Sequence, residues 1–314
     1  MSFSNDCKTE IAKVELNNSL DILSELEAML RLSGELIIRD GQFTISFESA
    51  NAMVAARFLD FVKKEYNAKT SLLTHKVKKL NQGLHYQVVL DSEAQTIISE
   101  MNLLSESNNR DQILSSDNAK SSYLRGAFLA RGSINDPKNG DYHTEIVTTS
   151  QDEALFIQKV MNEYELNAKI VKRRNDFVIY IKDVESISDF LRIIGASKNA
   201  FILDELVIKR EYKASLTRQM NAEIANEMKT LSAAKKQIEY INTIQYNVSD
   251  LNKIDSSILR VMKLRLDNPE ASFKELLEIL ERDYDIKMTK SGLNHKFIKI
   301  KEMAEKINAE KNNI

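Results

Sequence analysis

Leu124-Arg125-Gly126-Ala127-Phe128-Leu129-Ala130-Arg131-Gly132 mixes large apolar residues with very small ones and stops on glycine. In a helix, Gly126, Ala127 and Ala130 would let a second helix approach closely, because the distance between packed helices is set by the side chains at the contact. Gly132 suits a point where the helix turns sharply into a strand. A weaker copy lies upstream, Leu26-Glu27-Ala28-Met29-Leu30-Arg31-Leu32-Ser33-Gly34, with Ser33 standing where the later stretch has Arg131. Taken alone, either nonapeptide also fits an ordinary well-packed helix with a glycine cap.

The surroundings of the two stretches repeat as well, which is the sign to seek before a fold is chosen. The first copy reads as a helix from about Leu20 to Ser33, then alternating runs Glu35 to Arg39 and Gln42 to Glu48 split by the turn dipeptide Asp40-Gly41. A helix follows from Asn51 to Tyr66, with Val54, Phe58, Phe61 and Val62 at helical spacing. Strand-like Lys69 to Lys78 and Leu84 to Leu90 flank Asn81-Gln82-Gly83, and a short helix near Glu93 to Leu104 closes the copy. The second copy runs from a helix at Lys120 to Arg131, through a strand at Tyr142 to Thr149, to a helix at Gln151 to Tyr164. A hairpin, Ala168 to Lys172 and Phe177 to Lys182 around Asn175-Asp176, leads to a helix at Glu185 to Ile194. Asn67-Ala68-Lys69 recurs as Asn167-Ala168-Lys169, and Gly34 recurs as Gly132, at nearly equal offsets.

Inside this repeat the nonapeptides resemble the LAGLIDADG motif of homing endonucleases, which implies a duplicated α/β saddle held together by the two motif helices. In that family the eighth of the nine positions is an acidic residue that binds the catalytic metal; here the two positions are Ser33 and Arg131. Phosphodiester cleavage by paired metals needs carboxylates beside the phosphate. Ser33 cannot supply that charge, Arg131 would repel a cation, and Glu35 and Asp136 are displaced from the motif position. The expectation is retained packing without enzymatic activity, metal or cofactor, with metal-dependent plasmid nicking as the observation against it.

Composition agrees with a chain of several domains. Its 314 residues include 43% hydrophobic ones, enough for more than one core. No apolar run approaches the roughly 20 residues that span a bilayer, and Met1 to Leu16 carries charges throughout, so no membrane segment or leader is expected. A single cysteine, Cys7, rules out an internal disulfide, and the scattered His75, His85, His143 and His295 make a metal cluster improbable. The reading is a cytoplasmic protein. Its net charge of -2 announces no polyanion partner, so any nucleic-acid contact must come from local patches.

From Asn221 onward helical periodicity replaces strand patterns. Residues 221–246 read as a polar connecting helix, and Leu251, Ile254, Ile258, Val261 and Met262 define a helix that ends before Asn268-Pro269. Ser272 and Glu275 form a capping-box pattern ahead of the stripe Phe273, Leu276, Leu277 and Leu280. A connection from Glu281 to Met288 leads to Thr289, a cap for a helix that buries Leu293, Phe297 and Ile300. This is the pattern of a helix-turn-helix, whose second helix offers polar groups to base edges. Asn294 can pair with adenine, Lys290 can reach guanine or phosphate, and Ser291 and His295 can donate to either; Lys296 and Lys299 suit phosphate. An ordinary helical hairpin with a solvated lysine face is the plain alternative. Against it, Lys287, Lys290, Lys296, Lys299 and Lys301 occur with no Asp or Glu between Lys287 and Lys301, whereas a solvated face usually mixes signs.

The order of these features resembles the WhiA family, sporulation and cell-division regulators of Gram-positive bacteria in which a homing-endonuclease-like domain precedes a helix-turn-helix. The resemblance rests on Tyr123 to Ala130, Gly132-Ser133-Ile134-Asn135-Asp136-Pro137, Tyr142-His143, Glu145-Ile146-Val147-Thr148, Leu166-Asn167-Ala168-Lys169 and Ile194-Gly195-Ala196. It continues through Ser272-Phe273-Lys274-Glu275-Leu276 and Lys290-Ser291-Gly292-Leu293-Asn294-His295. It implies an α+β fold: LAGLIDADG-like repeats at 1–105 and 106–220, the connecting helix at 221–246, and an all-α helix-turn-helix domain at 247–314. It also implies a nucleoid-associated transcription regulator of double-stranded DNA, acting in cell division, chromosome segregation or sporulation. Basic residues on matched hairpins, Lys76, Lys78 and Lys79 in one copy and Lys172, Arg173 and Arg174 in the other, are candidates for a second DNA contact, although exposed hairpins carry such charges for solubility too. The alternative is an interaction protein that docks on RNA polymerase, a sigma factor or the division machinery through the saddle. The chain departs from the family between its last two helices, where a proline-containing turn is usual and Glu281 to Met288 is longer and acidic.

Overall fold

From Ser19 to Ile193 the order helix, two strands, helix, two strands, helix runs twice in the computed structural model, which describes residues 2–39, 42–76, 83–104, 110–249 and 253–312. The first copy comprises α2 (Ser19–Ser33), β1 (Gly34–Arg39), β2 (Gln42–Ser49), α3 (Ala52–Tyr66), β3 (Thr70–Lys76), β4 (Leu84–Leu90) and α4 (Ala94–Glu100), preceded by α1 (Phe3–Ile11). The second comprises the short α5 (Asp111–Leu114), then α6 (Asp117–Arg131), β5 (Gly132–Ile134), β6 (Thr144–Thr148), α7 (Gln151–Glu163), β7 (Lys169–Arg173), β8 (Asp176–Ile181) and α8 (Val184–Ile193). Each copy folds its strands into a four-stranded antiparallel sheet of the same topology, β1-β2-β4-β3 and β5-β6-β8-β7. The expected turns at Asp40-Gly41 and Asn81-Gln82 lie outside the described residues, as do Lys78, Lys79 and Leu251.

The shared tripeptide now has a stereochemical reason. Asn67 and Asn167 both adopt the left-handed conformation, with φ of 48° and 52°, which asparagine tolerates better than other non-glycine residues. The following alanines, Ala68 and Ala168, are both buried. Each copy thus turns from its middle helix into its third strand on the same device.

α2 and α6 pack directly on each other. A Cβ on Gly126 would lie 2.3 Å from the carbonyl oxygen of Glu25 and 3.0 Å from Cβ of Ala28, so glycine sets how near the helices come. Gly34 and Gly132 end their helices and open the following strands as expected, but not through a left-handed backbone. Their φ values, -73° and -82°, are open to any residue. What they lack is room: a Cβ would meet the Leu30 carbonyl oxygen at 2.5 Å and the Phe128 ring at 2.3 Å. A buried ion pair crosses this helix contact. The Glu25 carboxylate, fully enclosed, is bound by Arg57 of α3, with Nη2 at 2.8 Å, and by Arg125 of α6 at 3.4 Å. Burial lowers the Arg125 pKa. Arg125 also donates to the Ile194 carbonyl at 2.9 Å, so its hydrogen-bonding groups remain paired out of water.

α1, β5 and the short α5 have no counterpart among the elements expected from the sequence. α1 buries Phe3, Cys7 and Ile11, three residues four apart among charges, and β5 has only three residues. The connecting helix begins well before Asn221. It is the C-terminal part of α9 (Ser197–Asn247), 51 residues without glycine or proline to interrupt it. The chain divides within that helix into two compact units, Met1–Arg210 and Glu211–Ile314.

The second unit is all helical beyond α9: α10 (Ser256–Asp267), α11 (Phe273–Tyr284) and α12 (Lys290–Asn312). Ile241 and Ile244 of α9 join Ile258, Val261, Leu276, Leu280, Leu293, Phe297 and Ile300 in one core. Ser272 and Glu275 form the expected capping box. The connection to α12 is shorter than expected. α11 continues to Tyr284 and ends on Asp285 in the left-handed conformation (φ 52°), leaving only residues 285–289 between the helices. The acidic residues Glu281 and Asp283 thus belong to the last helical turn of α11. Arg265, 1% exposed, holds the α10–α11 turn, with Nη1 donating to the carbonyls of Asn268 (3.2 Å) and Ala271 (2.6 Å).

Candidate nucleic-acid interface

α12 carries the expected polar set, and its cap places that set. Thr289 Oγ1 accepts the Gly292 amide at 3.1 Å, and Leu293, Phe297 and Ile300 turn inward, with Phe297 stacked on Phe273 at 5.3 Å. The outward side therefore shows Lys290, Ser291, Asn294, His295 and Lys299, all exposed. Asn294 and His295 lie three and four residues after Ser291, and Ile298 four and three after them, so the four share one face. Ile298, 43% exposed, is absent from the sequence-based set. Its signal was an isoleucine off the buried stripe, a group that can meet a thymine methyl.

Lys296 is placed apart from that set. It is half-buried and directed to the start of α10, with Nζ against Ser257 Oγ and 3.8 Å from Asp255. Asp255 caps α10 by accepting from the Ser257 amide at 2.8 Å. Its hydrogen bonds from Ser257 and the nearby Lys296 hold its carboxyl below the usual carboxylate range. Lys296 thus ties α12 to α10.

In the first unit the degenerate motif positions meet at an open cleft of about 480 Å³. Ser33, Arg131, Lys8, Glu35 and Asn51 line it. Arg131 Nε donates to the Leu32 carbonyl at 3.1 Å, and Lys8 Nζ donates to the Leu129 carbonyl at 3.1 Å. Both cations sit against carbonyls at helix C-termini, where the helix dipole is negative. Burial, with Arg131 close by, lowers the Lys8 pKa to about 8. Asp136 lines no part of this cleft and caps the short turn Pro137–Asn139, accepting the Lys138 amide at 3.0 Å.

The basic hairpin residues do not form one uniform patch. Lys76 is exposed at the end of β3. Lys172 lies over the Phe177 ring at 5.4 Å, Arg173 is 3.4 Å from Glu145 on β6, and Arg174 occupies the turn with φ 55°. That turn is Arg174-Asn175, one residue earlier than expected, because β8 already begins at Asp176. The histidines are not all scattered either. His75 and His85 are cross-strand partners, and both approach Glu48.

A duplicated LAGLIDADG-type α/β unit whose motif ends are Ser33 and Arg131, continued by a helix-turn-helix, defines a class of protein built on a nuclease fold without its acids. Three domain descriptions fit the chain in succession: the WhiA N-terminal LAGLIDADG-like domain at residues 21–104, the WhiA LAGLIDADG-like domain at 120–213 and the WhiA C-terminal HTH domain at 216–304. The chain belongs to the WhiA family. It is 35% identical over 311 residues to a "Probable cell division protein WhiA" of Staphylococcus saprophyticus, covering 98% of each chain. A protein of the same name from Enterococcus faecalis is 36% identical, again over 98% of each. Full-length WhiA from Thermatoga maritima shares the fold, with a TM-score of 0.61 at 24% identity over 98% of this chain and 99% of that one.

Proposed function

We propose that this chain is a sequence-specific DNA-binding transcription regulator that acts on cell division, chromosome segregation or sporulation genes at the nucleoid, and that it does not cleave DNA. The exposed face of α12 carries this reading. It combines Lys290 and Lys299 with Ser291, Asn294, His295 and Ile298, and no acid occurs in the sequence from Lys287 to Lys301. Lysines attract phosphates and give affinity without sequence information; Asn294 supplies the bidentate amide that distinguishes adenine, and Ile298 the apolar contact. Cell division as the process is supported by the names of the relatives. The lack of cleavage is supported by Arg131 and Lys8 lying against the helix ends where metal-binding acids would stand.

The test is selection of bound sequences from a random DNA pool, followed by affinity measurements on the selected site and single-base variants. Asn294→Ala is expected to lower discrimination at one base pair by about 1–3 kcal/mol while leaving nonspecific binding in place. Unchanged preference in an Asn294→Ala, His295→Ala double variant would remove α12 from base recognition.

A further inference from the structure

We propose that Glu48, His75 and His85 form a site for one zinc-class transition-metal ion on the outward face of the first sheet. Glu48 and His85 also line the cleft that holds Lys8 and Arg131, and the inference rests on the strand geometry rather than on DNA binding. The residues come from three adjacent strands, β2, β3 and β4, and their pairing puts them on one side of the sheet. His75 is opposite His85, and Glu48 is opposite Gln87, two residues along β4 from His85. Side chains two apart on a strand share a face.

Both imidazoles converge on a single carboxylate oxygen. His85 Nδ1 lies 2.5 Å from Glu48 Oε1 and His75 Nε2 lies 3.5 Å from it. One nitrogen from each ring and that oxygen all fall within 4.8 Å of one another. Ligand atoms at about 2.0–2.2 Å from a tetrahedral zinc are separated by distances of this order, so small rotations of exposed side chains suffice to close the site. The donors select the ion. Two neutral nitrogens and one carboxylate suit zinc, nickel or copper, whereas magnesium and calcium take oxygen ligands. Three protein ligands leave a fourth position open for water or a phosphate oxygen.

The second sheet also carries a carboxylate, Glu145 of β6, with a different set of partners. Arg173 pairs across the hairpin with Asp176 as His75 pairs with His85, and its guanidinium lies 3.4 Å from Glu145. His143 Nε2 lies 3.1 Å from the same carboxylate, but the guanidinium, which has no lone pair to donate, stands beside it as a fixed cation in place of a second imidazole. The first sheet instead surrounds Glu48 with two groups that can become ligands.

The experiment uses the full chain purified without a histidine tag. Zinc is titrated calorimetrically, and cobalt is followed by visible absorption as a reporter of geometry. We expect one equivalent of each ion, tetrahedral cobalt bands, and no thiolate charge-transfer band, since Cys7 is buried in the core. His85→Ala and Glu48→Gln should each weaken zinc by more than about tenfold, a loss typical even of residues that only support a ligand. His143→Ala, on the second sheet, should change nothing. Circular dichroism confirms that each variant is folded, and His75→Gln gives a milder second substitution at the site. Failure to bind one equivalent, or undiminished affinity in a folded His75→Gln, His85→Ala double variant, would overturn the proposal.

Discussion

At the scale of single residues, Lys8 shows how the old motif end has been re-used. Its ammonium is largely withdrawn from water at the edge of the cleft and has Arg131 for a neighbour, and both effects lower its pKa to about 8 from the ordinary value of 10.5. Below pH 8 the lysine is protonated whether the chain is folded or not, and folding carries the full cost of burying the charge. Between about 8 and 10.5 the unfolded chain holds the proton that the folded chain has released, so stability rises with pH across that window. Lys8→Met should abolish this part of the rise. Arg131→Met should move its onset upward, because one cause of the depression is gone. Denaturant midpoints measured at a series of pH values on the three proteins check this. Parallel curves for wild type and Lys8→Met would mean that Lys8 titrates normally in the folded chain.

At the scale of elements, the α2–α6 contact separates two opposing effects of one methyl group. Gly126→Ala removes the entropic penalty of glycine within a helix, a gain of about 1 kcal/mol. The new Cβ would fall 2.3 Å from the backbone oxygen of Glu25, and backbone cannot move aside as a side chain does. Overpacking of this sort costs about 1–3 kcal/mol or more. A net destabilisation of about 1–2 kcal/mol is expected, with faster reaction of the buried Cys7 with a thiol reagent, since α1 packs on α6. A variant as stable as wild type would show that the helices can separate without loss. This contact was legible in the sequence because three small residues fell within five positions, 126 to 130. The repeat was legible through Asn67 and Asn167, whose side-chain type answers a backbone requirement. α1 was not, since three apolar residues at four-residue spacing do not stand out among charges, and Lys296 was not, since its partner Asp255 lies 41 positions away and only folding brings them together. Glu48, His75 and His85 escaped for the same reason: strand register unites them, and spacing along the chain carries no trace of it.

At the scale of the whole molecule, a net charge of -2 gives no general attraction for DNA, so binding must depend on how many phosphates particular lysines neutralise. Each neutralised phosphate releases condensed counterions, and the logarithm of affinity falls with the logarithm of salt concentration by about 0.9 per contact. Lys299 is exposed beside the proposed reading face, and Lys299→Ala should flatten that slope by about one contact while leaving base preference alone. Lys296→Ala should behave oppositely. Its ammonium is engaged with Ser257 and Asp255, so its loss should lower the thermal stability of the helical unit and leave the salt slope near the wild-type value. The pair is informative because two lysines three residues apart on one helix carry the same charge and differ only in what they touch. If both variants flatten the slope equally, Lys296 leaves its partners to meet phosphate. If neither does, the affinity of this chain for DNA arises elsewhere than on α12.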